Sequence, residues 1–292
     1  MKLALLGQHI THSLSPQLQA LNARSYGTDL CFDLLDFNKS EWTQFFQKKE
    51  WCSYQGLNVT TPYKEIAYQA CDHLSRVAQC LGAVNTLKEE AGDLHGHNTD
   101  VDGVRFLLEQ FVPKINTQNT QVVILGIGGA SRASAYALYT LGIKKIVWIS
   151  RDRQRALDCL EWCRYHFPDL QATWLGPNGE LIGAKLSLPT NQLLISGTPP
   201  LSKETWLNLA LNHQNQLGPN FGLNQTATFI DLNYSRSRTQ GSRAYSQHIN
   251  LSYLDGLAML VGQGISSFQW WTGFRAPTLE IYEQLQDKNS TP

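Results

Sequence analysis

Apolar residues fall along this chain in short continuous runs separated by amphipathic stretches, the pattern of buried strands alternating with helices. Residues 2–6 read as a buried strand ending at Gly7. A polar loop, Gln8 to Ser15, then leads to Pro16, whose fixed φ suits the first turn of a helix running to about Tyr26, with Ser15 as its expected N-cap. Strands are expected at 31–36 and 56–60 with a helix around 40–50 between them. A helix over roughly 63–71 and a strand over Ala83 to Leu87 follow. After Asp100 a helical pattern, Val104, Leu107, Leu108 and Phe111, is halted by Pro113. Gln121–Leu125 and Lys145–Ile149 are expected strands around an alanine-rich helix ending near Leu141; Leu193–Ile195 and Thr228–Leu232 continue the alternation. The Asn/Gln-rich stretch 212–225 reads as a surface loop without chemistry. Gly256 to Trp271 is an apolar helix, and another follows Pro277.

This order predicts an α/β protein of two domains. Residues 1–99 and 250–292 are expected to form one, with a mostly parallel sheet and the C-terminal helices packing back on it. The inserted segment 100–249 reads as a Rossmann-type dinucleotide-binding domain. The length, 292 residues, suits one large or two modest domains. Formal charge is +0, without a basic cluster, which argues against a nucleic-acid partner. The charged fraction, 16%, is low against a usual ~25%. The opening Met1–Gly7 is too short for a signal-peptide core, and no run approaches the ~20 apolar residues of a membrane span, so a cytoplasmic globule without a membrane partner is expected. The six cysteines lack metal-ligand spacing and read as buried or half-buried reduced thiols; no metal is expected.

Gly126-Ile127-Gly128-Gly129-Ala130-Ser131-Arg132 follows a buried strand and opens a helix. Missing side chains let the backbone approach a pyrophosphate, and the helix N-terminus supplies free N–H groups. Ser131 stands where the six-residue pattern has its third glycine. The end of the next strand decides the cofactor: an acidic residue accepts from a ribose 2′-hydroxyl, whereas a 2′-phosphate calls for arginine. Here the residues are Ser150-Arg151-Asp152-Arg153-Gln154-Arg155, with Arg132 available from the preceding helix, which favours NADP. Asp152, if pointed inward, would repel a 2′-phosphate and leave room for NAD.

Ser13, Ser15, Asn58, Thr60, Lys64, Asn85 and Asp100 lie at strand ends or in the loops after them, where open α/β sheets bind ligands. Hydroxyls for a carboxylate, amides for ring hydroxyls and a Lys/Asp pair at the reacting carbon suit a small polyhydroxylated acid. Each residue also has a structural alternative: Asn58 or Asn85 closing a turn, Asp100 capping the helix after it.

Five blocks in order then resemble the shikimate dehydrogenase family, which includes shikimate/quinate dehydrogenases. They are His12 to Pro16, Asn58 to Lys64, Gly82 to Thr86, Gly96 to Gly103, and Asp255-Gly256-Leu257 with Gln263. The resemblance spans nearly the whole chain. It implies NADP-dependent interconversion of shikimate and 3-dehydroshikimate, a step of aromatic amino-acid biosynthesis leading to chorismate. It further implies that Ser13 and Ser15 hold the substrate carboxylate, that Thr60, Asn85, Tyr234 and Gln263 line the substrate, and that Lys64 and Asp100 are the acid–base pair. Leu232 and Gly256 match positions that approach the nicotinamide. Gln19 replaces the family's usual histidine and is expected away from the chemistry; Ser150-Arg151-Asp152 stands for a common Asn-Arg-Thr, and Ala258 for a frequent glycine. The rival readings are a quinate-oxidising enzyme using NAD, and a non-catalytic paralogue, which would have lost Lys64 or Asp100. Oligomeric state is not readable; a homodimer is kept as the candidate assembly.

Overall fold

Strand and helix alternate along the chain as the apolar runs require, and they segregate into two sheets. A computed structural model describes residues 1–112, 115, 117, 120–177, 180–184, 191–205, 227–248 and 250–290. Pro113 and the 212–225 stretch lie outside the described residues. By contact density the chain divides into two units, Met1–Gly103 with Leu260–Pro292, and Val104–Met259.

The first unit contains β1 (Lys2–Gly7), α1 (Ser15–Tyr26), β2 (Cys31–Asp36), α2 (Lys39–Gln47), β3 (Gly56–Val59), α3 (Lys64–Ala70), β4 (His73–Leu74), α4 (Arg76–Leu81), β5 (Thr86–Glu90) and β6 (Asp93–His97). Its sheet order is β2-β1-β3-β5-β6-β4. β1 pairs in parallel with β2 and β3, and β4 with β6, whereas β3–β5 and β5–β6 are antiparallel. The β5–β6 hairpin turns through Ala91 and Gly92, both at positive φ (56° and 92°), which matches the right-handed twist of the flanking strands. Gly96 in β6 is there for space: a Cβ would lie 2.5 Å from Cys71 Sγ. The core gathers Leu57, Val59, Val84, Leu87 and Leu94 with the aromatic group Trp42, Phe45 and Tyr63. Within the same unit, Trp271 covers Gly56 and donates from Nε1 to the Leu87 carbonyl at 3.0 Å. Pro16 sits in the first turn of α1 as expected, but Ser15 is the first helical residue rather than its cap; its N–H is taken by Ser13 Oγ at 3.1 Å.

The second unit contains β7 (Thr120–Leu125), α6 (Gly129–Thr140), β8 (Lys145–Ile149), α7 (Arg153–His166), β9 (Gln171–Leu175), β10 (Leu181–Gly183), β11 (Asn191–Ser196), β12 (Thr228–Asp231), α8 (Arg236–His248) and β13 (Ser252–Asp255). Helix α5 (Asp100–Phe111) leads into this unit and α9 (Leu257–Thr272) leads out, followed by α10 (Thr278–Ser290). The order β10-β9-β8-β7-β11-β12-β13 is parallel except at β9–β10. Leaving out β10, it is the doubly wound arrangement in which the order reverses beside the first strand, β7. Each residue of β7 is buried, as a strand covered on both faces must be. Among the described residues no helix is long and apolar enough to cross a membrane. All six cysteines are free thiols, but Cys31 and Cys52 are exposed rather than buried.

Candidate active site

Lys64 is placed by a strand, a turn and a helix. β3 ends at Val59, the turn Thr60–Tyr63 closes with Tyr63 N–H donating to the Thr60 carbonyl at 3.0 Å, and Lys64 opens α3. The Thr61–Pro62 peptide is cis. Tyr63 anchors the turn by stacking on Trp42 (centroids 4.6 Å) and donating to the Phe37 carbonyl at 2.6 Å. Asp100 opens α5, and Asn98 Oδ1 accepts the Asp100 N–H at 3.0 Å. The Asp100 carboxylate is thereby left for other work. Lys64 Nζ donates to its Oδ2 at 2.6 Å, with the two side chains 22% and 6% exposed. Asn85 Nδ2 donates to its Oδ1 at 2.9 Å. Both carboxylate oxygens are thus held, one by an ammonium group with protons to exchange and one by an amide.

Asn85 lies immediately before β5 rather than within it. Its Oδ1 accepts from Thr99 N–H (2.8 Å) and Thr86 Oγ1 (2.8 Å), and its Nδ2 also lies 3.4 Å from Gln263 Oε1. Lys64, Asn85, Asp100 and Gln263 therefore converge. Ser13 and Ser15 are buried beside one another, Ser13 Oγ donating to Ser15 Oγ at 3.0 Å. One turn beyond Ser15, Gln19 is fully buried and donates from Nε2 to the Gly264 carbonyl (3.2 Å) and Asn58 Oδ1 (3.4 Å). Gln19 is thus tied to Asn58 and to the α9 backbone. Thr60 is half-buried, its N–H donating to the Leu6 carbonyl at 2.9 Å.

In the second unit the glycine turn leaves the C-terminal end of β7. Gly126 has φ +88°, and its N–H donates to the Ile149 carbonyl at 2.9 Å. A Cβ built on Gly128 or Gly129 meets nothing within 4 Å, and α6 begins there with no side-chain cap. An open cradle with free helix N–H groups fits a pyrophosphate. Ser131 is fully buried, and a Cβ on Gly197 would lie 2.3 Å from its Oγ. The close helix–strand approach served by the pattern's third glycine is here achieved by glycine on the β11 side.

At the end of β8 the residues differ in what they do. Asp152 is the N-cap of α7, its Oδ1 accepting the Arg155 N–H at 3.0 Å. Its carboxylate is occupied with the helix rather than turned inward. Arg153 Nε approaches Glu180 Oε2 at 3.6 Å, and the Arg132 guanidinium lies 5.7 Å from the Trp162 ring centroid. Arg151 and Arg155 are exposed, and the Ser150 Oγ accepts from Trp174 Nε1 at 3.1 Å. These two guanidinium groups fit a 2′-phosphate, and with the glycine cradle they fit NADP.

Leu232, Tyr234 and Gly256 follow the adjacent strands β12 and β13. The Gly256 N–H donates to the Asn233 carbonyl at 2.8 Å, and a Cβ on Gly256 would lie 2.2 Å from the Leu232 carbonyl oxygen. Asp231, unmarked by sequence reasoning, holds this turn: its Oδ1 accepts from Asn233 N–H (3.1 Å) and Nδ2 (2.8 Å), and its Oδ2 from Ser242 Oγ (2.5 Å). Burial pushes its carboxyl above the usual range, opposed by the Ser242 and Asn233 hydrogen bonds. Thr86, Thr99 and Ser267 were also missed. Ser267 carried a readable signal, since it lies one helical turn after Gln263 and so shares its face.

A two-unit α/β protein with a lysine–aspartate pair in one unit and a dinucleotide cradle in the other defines a class of nicotinamide-dependent oxidoreductases. The family model for the shikimate dehydrogenase substrate binding domain matches residues 5–87, and that for the shikimate 5′-dehydrogenase C-terminal domain matches 256–286. A shikimate dehydrogenase (NADP+) of Acinetobacter baumannii is 32% identical over 276 residues, 93% of this chain and 95% of that protein. One of Clostridium perfringens is 29% identical over 285 residues, 97% of each chain. The crystal structure of shikimate 5-dehydrogenase from Thermus thermophilus, in complex with NADP(H) and shikimate, aligns with a TM-score of 0.74 at 27% identity, covering 98% of this chain and 99% of that one. The chain belongs to the shikimate dehydrogenase family.

Proposed function

We propose that this protein is an NADP-dependent shikimate dehydrogenase, reversibly reducing 3-dehydroshikimate to shikimate in aromatic amino-acid biosynthesis. The observation that carries the reading is the Lys64–Asp100 pair at 2.6 Å with Asn85 on the second carboxylate oxygen. The whole-length likeness to NADP-dependent relatives supports it. The first unit is assigned to the substrate and the second to NADP.

In the direction of oxidation, the substrate hydroxyl loses its proton to the Lys64/Asp100 pair as the C–H electron pair leaves as hydride. Bound NADP+ supplies the hydride acceptor. Asp100 keeps Lys64 aimed, and Asn85 keeps Asp100 from turning away. The Ser13 and Ser15 hydroxyls take the substrate carboxylate, and Thr60, Asn85, Tyr234 and Gln263 line the ring, with Asn58 behind them. Gly126, Gly128, Gly129, Ala130 and the α6 N-terminus hold the pyrophosphate, Ser150, Arg151 and Arg155 the 2′-phosphate, and Leu232 and Gly256 the nicotinamide. The assembly proposed is a homodimer, in the cytoplasm. Purified protein given shikimate and NADP+ should generate reduced nicotinamide absorbance; its absence at saturating concentrations of both would overturn the assignment.

A further inference from the structure

Ser267 is fully buried on α9, and its hydroxyl is a meeting point. Its Oγ lies 3.0 Å from Asn58 Nδ2, 2.8 Å from Thr86 Oγ1, 3.0 Å from Thr99 Oγ1 and 2.9 Å from the Gln263 carbonyl. A hydroxyl has one proton to give and two acceptor sites, so these contacts constrain one another. Donation to the Gln263 carbonyl leaves Ser267 to accept from the Asn58 amide and from a threonine. Whichever threonine donates to Ser267, the other gives its proton to Asn85 Oδ1, Thr86 at 2.8 Å or Thr99 at 3.2 Å, where the Thr99 N–H also points at 2.8 Å.

That wiring decides which way the Asn85 amide faces. With its oxygen taken by Thr86 and Thr99, its NH2 group must face Asp100 Oδ1 at 2.9 Å. A flipped amide would set oxygen against carboxylate and NH2 against the Thr99 N–H, two mismatches in a buried site. Asn58 belongs to the same scaffold: its amide hydrogens are met by Ser267 Oγ and by the Asn85 carbonyl at 3.2 Å, and its oxygen by Gln19.

We propose that Ser267 is a positioning residue for the reaction: it directs the Thr86 and Thr99 hydroxyls, these orient the Asn85 amide, and Asn85 sets Asp100 against Lys64. The inference rests on the function proposed above. Its test is a double-mutant cycle on kcat/KM for shikimate, with Ser267→Ala, Asn85→Ala and the double variant, each checked for its melting midpoint. Ser267→Ala should lower kcat/KM about tenfold, the size of a neutral hydrogen bond, with the KM for NADP+ unchanged. In the Asn85→Ala background the same change should cost less than about twofold, because its route is already cut. Ser267→Cys, which keeps a single γ atom of the same connectivity but bonds weakly, should lose activity with a near wild-type melting midpoint. Equal losses in both backgrounds, or a fully active Ser267→Cys, would overturn the inference while leaving the function intact. Wild-type protein inert toward shikimate would instead overturn the functional reading and this inference with it.

Discussion

Replacing Lys64 with alanine removes the pair's only cation while leaving the rest of the site in place. Asp100 keeps its Asn85 partner at 2.9 Å, and its backbone stays held by Asn98 at 3.0 Å, so the carboxylate has no reason to swing away. The lost group is therefore chemical more than architectural. Removal of a general acid–base group costs ~10²-fold or more in turnover, about 2.7 kcal/mol of transition-state stabilisation. The cost to folding is smaller. Lys64 is 22% exposed, so its bond to Asp100 falls between a surface ion pair and a fully buried one, and the remaining Asn85 bond softens the loss to about 1–2 kcal/mol. Initial rates of NADP+ reduction across a shikimate series separate kcat from KM, and urea unfolding reports stability. The expected pattern is a kcat at most about a hundredth of wild type, with KM changed by less than about threefold. Unchanged turnover, or a loss confined to KM, would refute the assigned role of Lys64.

Arg151→Ala should raise the KM for NADP+ and leave NAD+ use nearly unaffected, whereas equal losses with both cofactors would mean that Arg151 does not read the phosphate. Asp152→Ala should cost about 1 kcal/mol in unfolding free energy through its lost cap on α7, without changing the NADP/NAD preference; a large preference shift would return Asp152 to the cofactor. His97 is half-buried, its Nδ1 2.7 Å from Ser75 Oγ, and burial holds its imidazole below the ordinary value. A depressed base stabilises the fold fully above the unfolded value of about 6.5 and loses that contribution as pH falls through the folded value. The melting midpoint should therefore fall less steeply in His97→Gln than in wild type as pH is lowered from about 7; parallel curves would exclude His97 as the cause.

Continuous apolar runs were legible because two-sided burial leaves little else possible: Gln121–Leu125 and Lys145–Ile149 became β7 and β8. Segments whose fit depends on a tertiary neighbour were not. β6 reads Asp-Leu-His-Gly-His, and its Gly96 makes sense only beside Cys71. Helix α8 is dominated by polar residues, and its Ser242 gains meaning from Asp231 at the end of β12. In the site, Lys64 and Asp100 stood out because charge at a strand end is a chemical signal. Ser267, Thr86 and Thr99 did not, since small hydroxyl residues acquire a role only when their protons are counted against a common partner. Asp152 stays open in the sequence for a related reason: a carboxylate at the end of a Rossmann strand serves a ribose or a helix equally well, and here its Oδ1 caps α7.

The central claim is tested most directly by measuring kcat/KM for shikimate and for quinate, each with NADP+ and with NAD+. Shikimate with NADP+ should exceed the other three combinations. Comparable turnover of quinate, or a higher rate with NAD+ than with NADP+, would contradict the assignment.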